Sequence, residues 1–403
     1  MTSQTRRRHS PTSALAGTNL SRASDHNQRV VLQGIRAHGE ITRSELSAIT
    51  GLTHQSVINI SRRLIEGGIV VDIGPTSGGR GHPAARLSIN PNGAFALGLN
   101  IDRDHMTLVL MDLAGRMRER IHADAHFALP GDVIAFVCEG VDTMVSRRAV
   151  SKDRLMGLGV AIPERLHGVL VEERPDAYGQ WASANIVDLL SEALRLPVYS
   201  ENDATSAAIG ELQFGKGLRY RNFIYTLISA GIGCGLIING QPYTGGLAHA
   251  GEIGNLPIIT AKGERKTLWD IVSLFTLYDE LKDFGVAVSQ PEHIMADGGA
   301  MEAGVDRWVK RAADCMLLPF LTFNYLLTPE AHFIGGQLPP FVVEKLCAEL
   351  NSRLPAYQHY VPLTNFEPST TSVNAASLGA AVLVLQNQLL PTPKALELNG
   401  KPS

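Results

Sequence analysis

Two short segments of this chain carry side chains whose types and spacing suit a polyhydroxylated ligand. Asn202 and Asp203 follow a predicted strand at 198–200, and Glu252 lies in the glycine-rich stretch 250–254. A carboxylate accepts hydrogen bonds from hydroxyl groups, whereas an amide both donates and accepts them. Asp203 could instead cap a following helix, and Glu252 could be a solvated loop acid. We expect Asn202, Asp203 and Glu252 to contact a small polyol.

A further group of polar side chains lies on one face of a helix predicted to begin after residue 53. Val57, Ile60 and Leu64 keep helical spacing and should face a core. The opposite face carries side chains that pair with base edges or phosphates in a major groove, namely His54, Gln55, Asn59, Arg62 and Arg63. The same helix could serve only as a protein interface, but the charge of the surrounding sequence favours DNA.

The elements before this helix predict a helix-turn-helix within residues 25–90. A first helix is expected over about 27–37. Thr42 and Glu45 have the spacing of a capping box at the start of a second helix, and Gly51 suits its left-handed end.

A glycine-rich loop follows the predicted recognition helix and makes this unit a winged helix-turn-helix. Strands are expected at about 69–73 and 85–89, and Arg80 in the loop between them could enter a minor groove. Residues 1–90 carry a net charge of +6 within a chain of net charge -3. A basic first quarter on an acidic body indicates that only the N-terminal part meets an anionic polymer. Residues 1–24 are predicted to be a disordered basic tail.

From residue 91 to residue 390 the pattern is that of an α/β domain. Short apolar strands alternate with helical stretches, which predicts a mixed sheet covered by helices. Strands are expected at about 96–101, 107–111, 155–162, 198–200, 223–228, 235–238 and 332–334, and helices at about 130–148, 184–194, 204–212, 300–327 and 374–389. Residues 391–403 are predicted to be a flexible tail.

Composition places the chain among cytoplasmic globular proteins. Its hydrophobic fraction is 44% and its charged fraction 19%. No signal peptide is evident, and no apolar run is long enough for a membrane span. The four cysteines, Cys138, Cys234, Cys315 and Cys347, are far apart and are expected to be buried thiols, so neither a disulfide framework nor a metal site is predicted.

In this order and over most of the chain, several segments resemble the ROK family (repressors, open reading frames and kinases), in particular its repressor branch. The stretches that carry the resemblance are 79–83 with 87–89, 157–163, 201–204, 229–235, 245–254 and 335–336. The resemblance implies a two-lobed domain of the actin/hexokinase (ribonuclease H-like) superfamily after the winged helix. It also implies that Asn202, Asp203 and Glu252 hold a sugar between the lobes.

Three departures from the kinase pattern accompany the resemblance. ROK kinases open the domain with Asp-x-Gly-Gly-Thr, whose glycines let the backbone approach ATP phosphates. Here the matching stretch is 102–106, which has lost both glycines and carries Asp104 where phosphate would lie. The cysteine cluster that holds zinc in the family is missing between Asn255 and Trp269, and Trp269 replaces a glutamate that contacts sugar. We therefore expect neither a nucleotide cofactor nor a structural metal.

The expected function is transcription regulation. The sequence predicts a repressor of carbohydrate uptake or catabolism genes that binds double-stranded operator DNA as a homodimer or homotetramer, away from membranes, and is relieved by a sugar or sugar derivative. Two alternatives stay open. One is a sugar kinase with an appended DNA-binding module, in which Asp203 would be the general base. The other is a regulator controlled by a protein partner.

Overall fold

The computed structural model describes residues 20–75, 85–148, 150–163, 176–259, 263–296, 298–357 and 362–390. The predicted wing with Arg80, most of the predicted basic tail and the predicted C-terminal tail lie outside these residues. The described residues fall into two compact units. The first comprises residues up to 66, the segment around 72–88 and residue 390, and the second comprises 67–71 and 89–389.

The N-terminal unit contains three helices and a small sheet. Its elements are α1 (Leu20–His38), β1 (Glu40–Thr42), α2 (Arg43–Thr50), α3 (His54–Glu66), β2 (Val70–Pro75) and β3 (Ala85–Ile89). The strand order is β1-β3-β2, and β1 pairs antiparallel with β3. The apolar sides of the helices and the sheet meet in one core, which includes Ile35, Leu46, Val57, Leu64 and Leu87.

Local signals determine where these helices begin and end. The capping box is present, because the Thr42 side chain accepts a hydrogen bond from the amide of Glu45 and the Glu45 carboxylate accepts one from the amide of Thr42. Gly51 has a left-handed φ of 69° at the end of α2. The prediction that residues 20–24 are disordered is wrong, since α1 begins at Leu20. No glycine or proline occurs between Leu20 and Gly34, so the helix extends beyond its apolar stripe.

The second unit begins with a five-stranded sheet, here called the first lobe. Its elements are β4 (Phe95–Ile101), β5 (His105–Asp112), β6 (Met117–Asp124), α4 (Pro130–Arg148), β7 (Leu155–Ile162), α5 (Ile186–Leu194) and β8 (Val198–Asn202). The strand order is β6-β5-β4-β7-β8. The pairs β6–β5 and β5–β4 are antiparallel, whereas β4–β7 and β7–β8 are parallel. Helix α6 (Asp203–Phe214) follows directly.

A second five-stranded sheet forms the second lobe. The remaining elements are β9 (Phe223–Ile228), β10 (Ile232–Ile238), β11 (Gln241–Pro242), β12 (Pro257–Ile259), β13 (Arg265–Thr267), α7 (Leu274–Asp283), α8 (Ala300–Leu327), β14 (Ala331–Gly336), α9 (Pro340–Arg353), β15 (Phe366–Pro368) and α10 (Ala375–Gln388). The order β11-β10-β9-β14-β15 repeats the pattern of the first lobe, two antiparallel pairs followed by two parallel ones. The unit is thus built from the same topology twice, as expected for an actin/hexokinase-like fold.

Helices α6 and α10 pack together at the junction of the two lobes through small residues. Ala204, Ala207 and Ala208 of α6 share one buried cluster with alanines of α10 and with aromatic side chains of the second sheet. A Cβ atom at Gly379 of α10 would collide with the backbone carbonyl of Ser206. The two backbones are therefore in direct contact, which only glycine at this position permits.

Two further expectations concern the burial of the cysteines and the absence of a membrane-spanning helix. All four cysteines are free; Cys234 and Cys347 are buried, but Cys138 and Cys315 are only half-buried, so the expectation of buried thiols is correct for the first pair alone. Among the described helices, none combines the length and the apolar character needed to cross a membrane.

His332 in β14 is an uncharged histidine in the core of the second lobe, and its protonation can be tested. Its ring is fully buried, stacks on Phe366 at 5.0 Å between centroids, and neither nitrogen has a hydrogen-bond partner among the described residues. Burial lowers the pKa of His332 to about 3. Below pH 6.5 His332 is protonated in the unfolded chain, whereas in the native protein it stays neutral until about pH 3. This residue should thus reduce the free energy of unfolding by about 1.4 kcal/mol per pH unit as the pH falls through that window.

The variant His332→Phe should lack that component of acid sensitivity. Urea unfolding between pH 4 and pH 7 measures the difference in slope from the parent protein. His293→Phe, which replaces an exposed histidine, is the control and should follow the parent profile. Equal slopes for His332→Phe and the parent protein would contradict the neutral, buried state of this ring.

Candidate functional site

A cavity of about 120 Å³ lies between the two lobes of the second unit and contains all three predicted polyol-binding residues. Asn202 and Asp203 come from the junction of β8 and α6, and Glu252 comes from the loop after β11. The turn after β4, the β9–β10 hairpin and the segment after β13 complete the wall, with lining residues that include Arg103, Ser229, Gly231, Cys234, Asn255 and Trp269. The fold therefore brings together three side chains that are separated in sequence.

The end of β8 determines how Asn202 and Asp203 enter the cavity. Asn202 is the N-cap of α6, and its side-chain oxygen accepts a hydrogen bond from the amide of Thr205 at 3.1 Å. Asp203 is the first helical residue, and its carboxylate accepts one from the amide of Ala204 at 2.8 Å. The alternative in which Asp203 is the cap is therefore wrong, because Asn202 takes that position. Both residues line the cavity.

Asp203 has an unusual electrostatic environment. Its burial, together with the negative charges of Asp102 and Glu252, raises its pKa to about 7. The Ala204 amide and the Arg103 guanidinium act in the opposite direction but do not cancel the effect. Near neutral pH this group can therefore either accept a hydrogen bond as a carboxylate or donate one as an acid. A hydroxyl group satisfies both states, since it is both donor and acceptor.

Glu252 owes its position to a glycine. Gly251 has a φ of 94°, and a Cβ atom there would collide with the carbonyl of Cys234 in β10. The loop therefore lies directly on β10 and directs Glu252 into the cavity. The carboxylate of Glu252 accepts a hydrogen bond of 3.3 Å from the side chain of Asn255.

Arg103 is a cavity residue that the sequence analysis missed. Its guanidinium lies 4.7 Å from the ring centroid of Trp269, and the Trp269 indole donates a hydrogen bond to the carbonyl of Ala230 at 2.9 Å. Arg103 comes from the first lobe and Trp269 from the second, so this cation–π contact crosses the cavity. Trp269 does line the site, as the analysis allowed, but one face of its ring is covered by arginine.

The polar side chains of α3 lie apart from its core-facing side. His54, Gln55, Asn59, Arg62 and Arg63 are all exposed, whereas Val57, Ile60 and Leu64 are buried. Gln55 donates a hydrogen bond of 3.3 Å to Asn59, one turn further along. Arg63 turns toward α1 and reaches the hydroxyl of Ser24 at 3.4 Å. The outward surface of α3 thus consists of His54, Gln55, Asn59 and Arg62, with Arg63 at its edge.

Comparison with known proteins shows what this chain is similar to. Residues 96–275 match the model of the ROK family. The matched residues make up somewhat less than half of the chain. It is 27% identical over 235 residues to the xylose repressor of Bacillus spizizenii, an alignment that covers 58% of this chain and 60% of that protein.

Two solved structures share the architecture. One is a ROK family transcriptional regulator, a homologue of the Escherichia coli MLC protein, with a TM-score of 0.67 and 20% identity over 91% of this chain and 96% of that one. The other is a ROK family glucokinase from Streptomyces griseus in complex with glucose and AMPPNP, with a TM-score of 0.56 and 18% identity over 73% of this chain and 100% of that one. At these identities the likeness establishes the fold alone, which a regulator and a kinase both adopt.

The turn after β4, at residues 102–105, carries its own hydrogen-bond network. Asp104 bonds to His105 at 2.7 Å, and the far nitrogen of His105 lies 3.1 Å from the side-chain nitrogens of both Asn100 and Gln337. Burial opposes charge on the Asp104–His105 pair, but their mutual hydrogen bond outweighs it, lowering the pKa of Asp104 and raising that of His105. Gln337 belongs to the second lobe, so this turn is tied across the cleft.

The same turn brings together three groups that could bind a metal ion. Ligand atoms of Asp102, Asp104 and His105 lie within 4.8 Å of one another. Each is engaged by protein. Asp102 accepts a hydrogen bond from the amide of Arg103 and lies 3.8 Å from its guanidinium, and Asp104 bonds to His105. The three groups are therefore explained by ion pairing within the turn, in which Arg103 lies beside Asp102 and His105 beside Asp104.

The raised pKa of Asp203 predicts a specific dependence of stability on pH. Between pH 3.8 and about pH 7 the native protein holds a proton on Asp203 that the unfolded chain releases. The residue should therefore lower the free energy of unfolding by about 1.4 kcal/mol per pH unit as the pH rises through this window. In Asp203→Asn the side chain can still accept the hydrogen bond from the amide of Ala204, but this loss of unfolding free energy with rising pH should be absent. Urea unfolding should show that the free energy of unfolding of the variant, relative to that of the parent, rises from pH 4 to pH 7 and is constant above pH 7.

Asp142→Asn is a matched control for that measurement. Asp142 is an exposed aspartate of α4, 2.7 Å from Lys152. Its substitution should leave the difference in unfolding free energy nearly constant across the same pH range. If the difference in unfolding free energy between Asp203→Asn and the parent is also independent of pH, Asp203 is ionised like a surface aspartate.

Proposed function

We propose that this chain is a DNA-binding transcription regulator, a repressor of carbohydrate uptake or catabolism genes that a sugar relieves. The observation that carries the proposal is the presence in one chain of an exposed recognition surface on α3 and of a polyol-type cavity in a ROK domain. The name of the relative from Bacillus spizizenii, xylose repressor, supports it. The chain aligns with 60% of that protein, so the assignment of the whole function is ours.

The recognition surface has the chemistry of a major-groove reader. Gln55 and Asn59 carry amides that pair with adenine, and Arg62 can bind guanine or a phosphate. The hydrogen bond between Gln55 and Asn59 orders both side chains before contact with DNA, which reduces the entropy lost on binding. Arg63, which is held toward α1, is better placed for the backbone than for a base edge. Arg80 of the predicted wing would add a minor-groove or phosphate contact.

The cavity side of the proposal follows from hydrogen-bonding capacity. Asn202, Asp203 and Glu252 offer acceptors and donors over a small volume, and Trp269 and Arg103 line the same cavity. A sugar ring presents several hydroxyl groups that can bond to all of these at once. The cavity lies between two lobes, so a bound ligand contacts both and stabilises their closed arrangement.

We infer that regulation is a shift of population between lobe arrangements. A ligand shifts an equilibrium only by its difference in affinity for the two states. To move the protein from 1% to 99% in the DNA-releasing state, the sugar must prefer that state by roughly 10⁴-fold. Two DNA-binding units in a homodimer or homotetramer would meet a two-fold operator, and the ligand-bound form would hold them unsuitably for it.

The kinase alternative is less well supported by the turn after β4. A phosphate loop needs free backbone amides and room for the phosphates. Here Asp104 contributes a negative charge, and the turn is filled by the bonds among Asp104, His105 and Gln337. We propose that Asp203 remains as a ligand-binding group and that phosphoryl transfer has been lost.

Operator binding should depend on the outward surface of α3 in a residue-specific manner. Arg62→Ala and Arg80→Ala should weaken binding by about 1–3 kcal/mol each if they remove phosphate contacts, and each should lower the dependence of affinity on salt concentration. Gln55→Ala and Asn59→Ala should instead relax the preference for operator over mutated sites. Gel shifts across a salt series distinguish the two kinds of effect.

The control for these variants is Arg147→Ala, which removes an exposed positive charge from α4 in the other unit. It should bind the operator like the parent. Unchanged affinity and specificity in all four α3 and wing variants would exclude this surface as the DNA interface.

Sugar-induced release should require Asp203. Asp203→Ala should abolish release by the inducing sugar while the empty protein still binds the operator, because the two functions reside in separate compact units. Calorimetry with candidate sugars, paired with a DNA-release assay, measures both, and Asp142→Ala is the matched control. Native sugar affinity and release in Asp203→Ala would place the site elsewhere. Sugar-dependent ADP formation at about 1 per second or faster by the parent protein would instead favour the kinase alternative.

A further inference from the structure

We propose that the cavity selects an uncharged, unphosphorylated sugar and rejects the phosphate ester of the same sugar. This inference rests on the proposed function, since it narrows the ligand class of the same cavity. It depends on three separate features of the described residues: the balance of charge at the cavity, the engagement of its one arginine, and the occupation of the α6 N-terminus.

Negative groups outnumber positive ones at the cavity. Asp203 and Glu252 line it, and Asp102 lies directly behind Arg103. Arg103 is the only cation among the lining residues that the structure describes. A phosphate dianion would thus approach three carboxyl groups and a single guanidinium. The raised pKa of Asp203 shows that one more negative charge is already unfavourable here, and a second one on the ligand would be more so.

The charge of Arg103 is largely compensated within the protein. Its guanidinium lies 3.8 Å from the carboxylate of Asp102, which is itself 3% exposed. The opposite side of the group is covered by the Trp269 ring at 4.7 Å. The Arg103 side chain is 7% exposed. It can donate a hydrogen bond to a hydroxyl oxygen, but it does not supply a net positive charge for an anion.

The helix that points into the cavity does not provide an anion site either. Free amides at a helix N-terminus bind phosphate well. In α6 the amide of Ala204 donates to Asp203 and that of Thr205 donates to Asn202. Two amides that would hold a phosphate are thus bonded to side chains, and one of these side chains is itself acidic. The same side chains leave oxygen and nitrogen atoms suited to neutral hydroxyl groups.

The test is calorimetry on the full-length protein with paired ligands. D-Glucose and D-xylose are each compared with the corresponding sugar phosphate, glucose 6-phosphate and xylose 5-phosphate, at low and high salt. For any pair that binds, the neutral sugar should bind at least tenfold more tightly. The ratio should shrink as salt screens the repulsion, whereas a purely steric rejection would not respond to salt.

Glu252→Gln removes one negative charge and keeps a hydrogen-bonding group of the same size. It should reduce the discrimination against the phosphate ester by about tenfold or more. Glu264→Gln, which replaces an exposed acid outside the cavity, should leave the ratio unchanged. Tighter binding of either phosphate ester, with loss of that preference in Arg103→Gln, would overturn this inference and make Arg103 an anion receptor. Failure of every neutral sugar and every ester to bind would overturn the proposed sugar function itself.

Discussion

The direct contact between α6 and α10 is the constraint on which the second unit depends. Each helix presents glycine and alanine to the other, so their backbones meet and both sheets pack against the same pair. Glu211, fully buried at the far end of α6, accepts hydrogen bonds from the hydroxyls of Ser369, Thr370 and Thr371 just before α10. A buried carboxylate is tolerated only when so well bonded. The position and direction of α6 are therefore fixed at both ends, and with them the placement of Asn202 and Asp203.

The geometry of the cavity depends on that helix and on the turn after β4. Asn202 and Asp203 are bonded to the first amides of α6, so their side chains are held before any ligand arrives. The turn supplies Arg103, and its neighbours supply the Asp104–His105–Gln337 bonds between the lobes. A ligand that closes the lobes consequently acts on contacts that already join them. Couplings between sites are typically about 1–3 kcal/mol, comparable to a small number of such hydrogen bonds.

Much of the fold could be predicted from hydrophobic periodicity and helix caps. The elements that were not predicted were missed for physical reasons. The bounds of α4, α8 and β9 agree with the predictions, and α8 continues through Pro319 because its apolar period is sustained on both sides of that residue. The edge strand β6 was not predicted, since its alternation is hidden by charges such as Arg118 and Glu119. Helices α7 and α9 were also unassigned, although the Ser273 capping box was a usable signal. The repeated topology left no repeat in the sequence, because many sequences satisfy the same strand pattern. Arg103 could not be placed in the cavity, since its position depends on the distant Trp269.

The electrostatics of the site bear on the proposed use of a kinase-like fold in regulation. Phosphoryl transfer requires a region that attracts the phosphates of a nucleotide and tolerates their charge. In this chain the same region holds Asp102 and Asp104, and its one arginine is compensated by Asp102. This region therefore carries negative charge, and the cavity beside it contains a compact set of hydrogen-bonding groups. In the function proposed above, the binding free energy of a small neutral ligand would favour one lobe arrangement over the other.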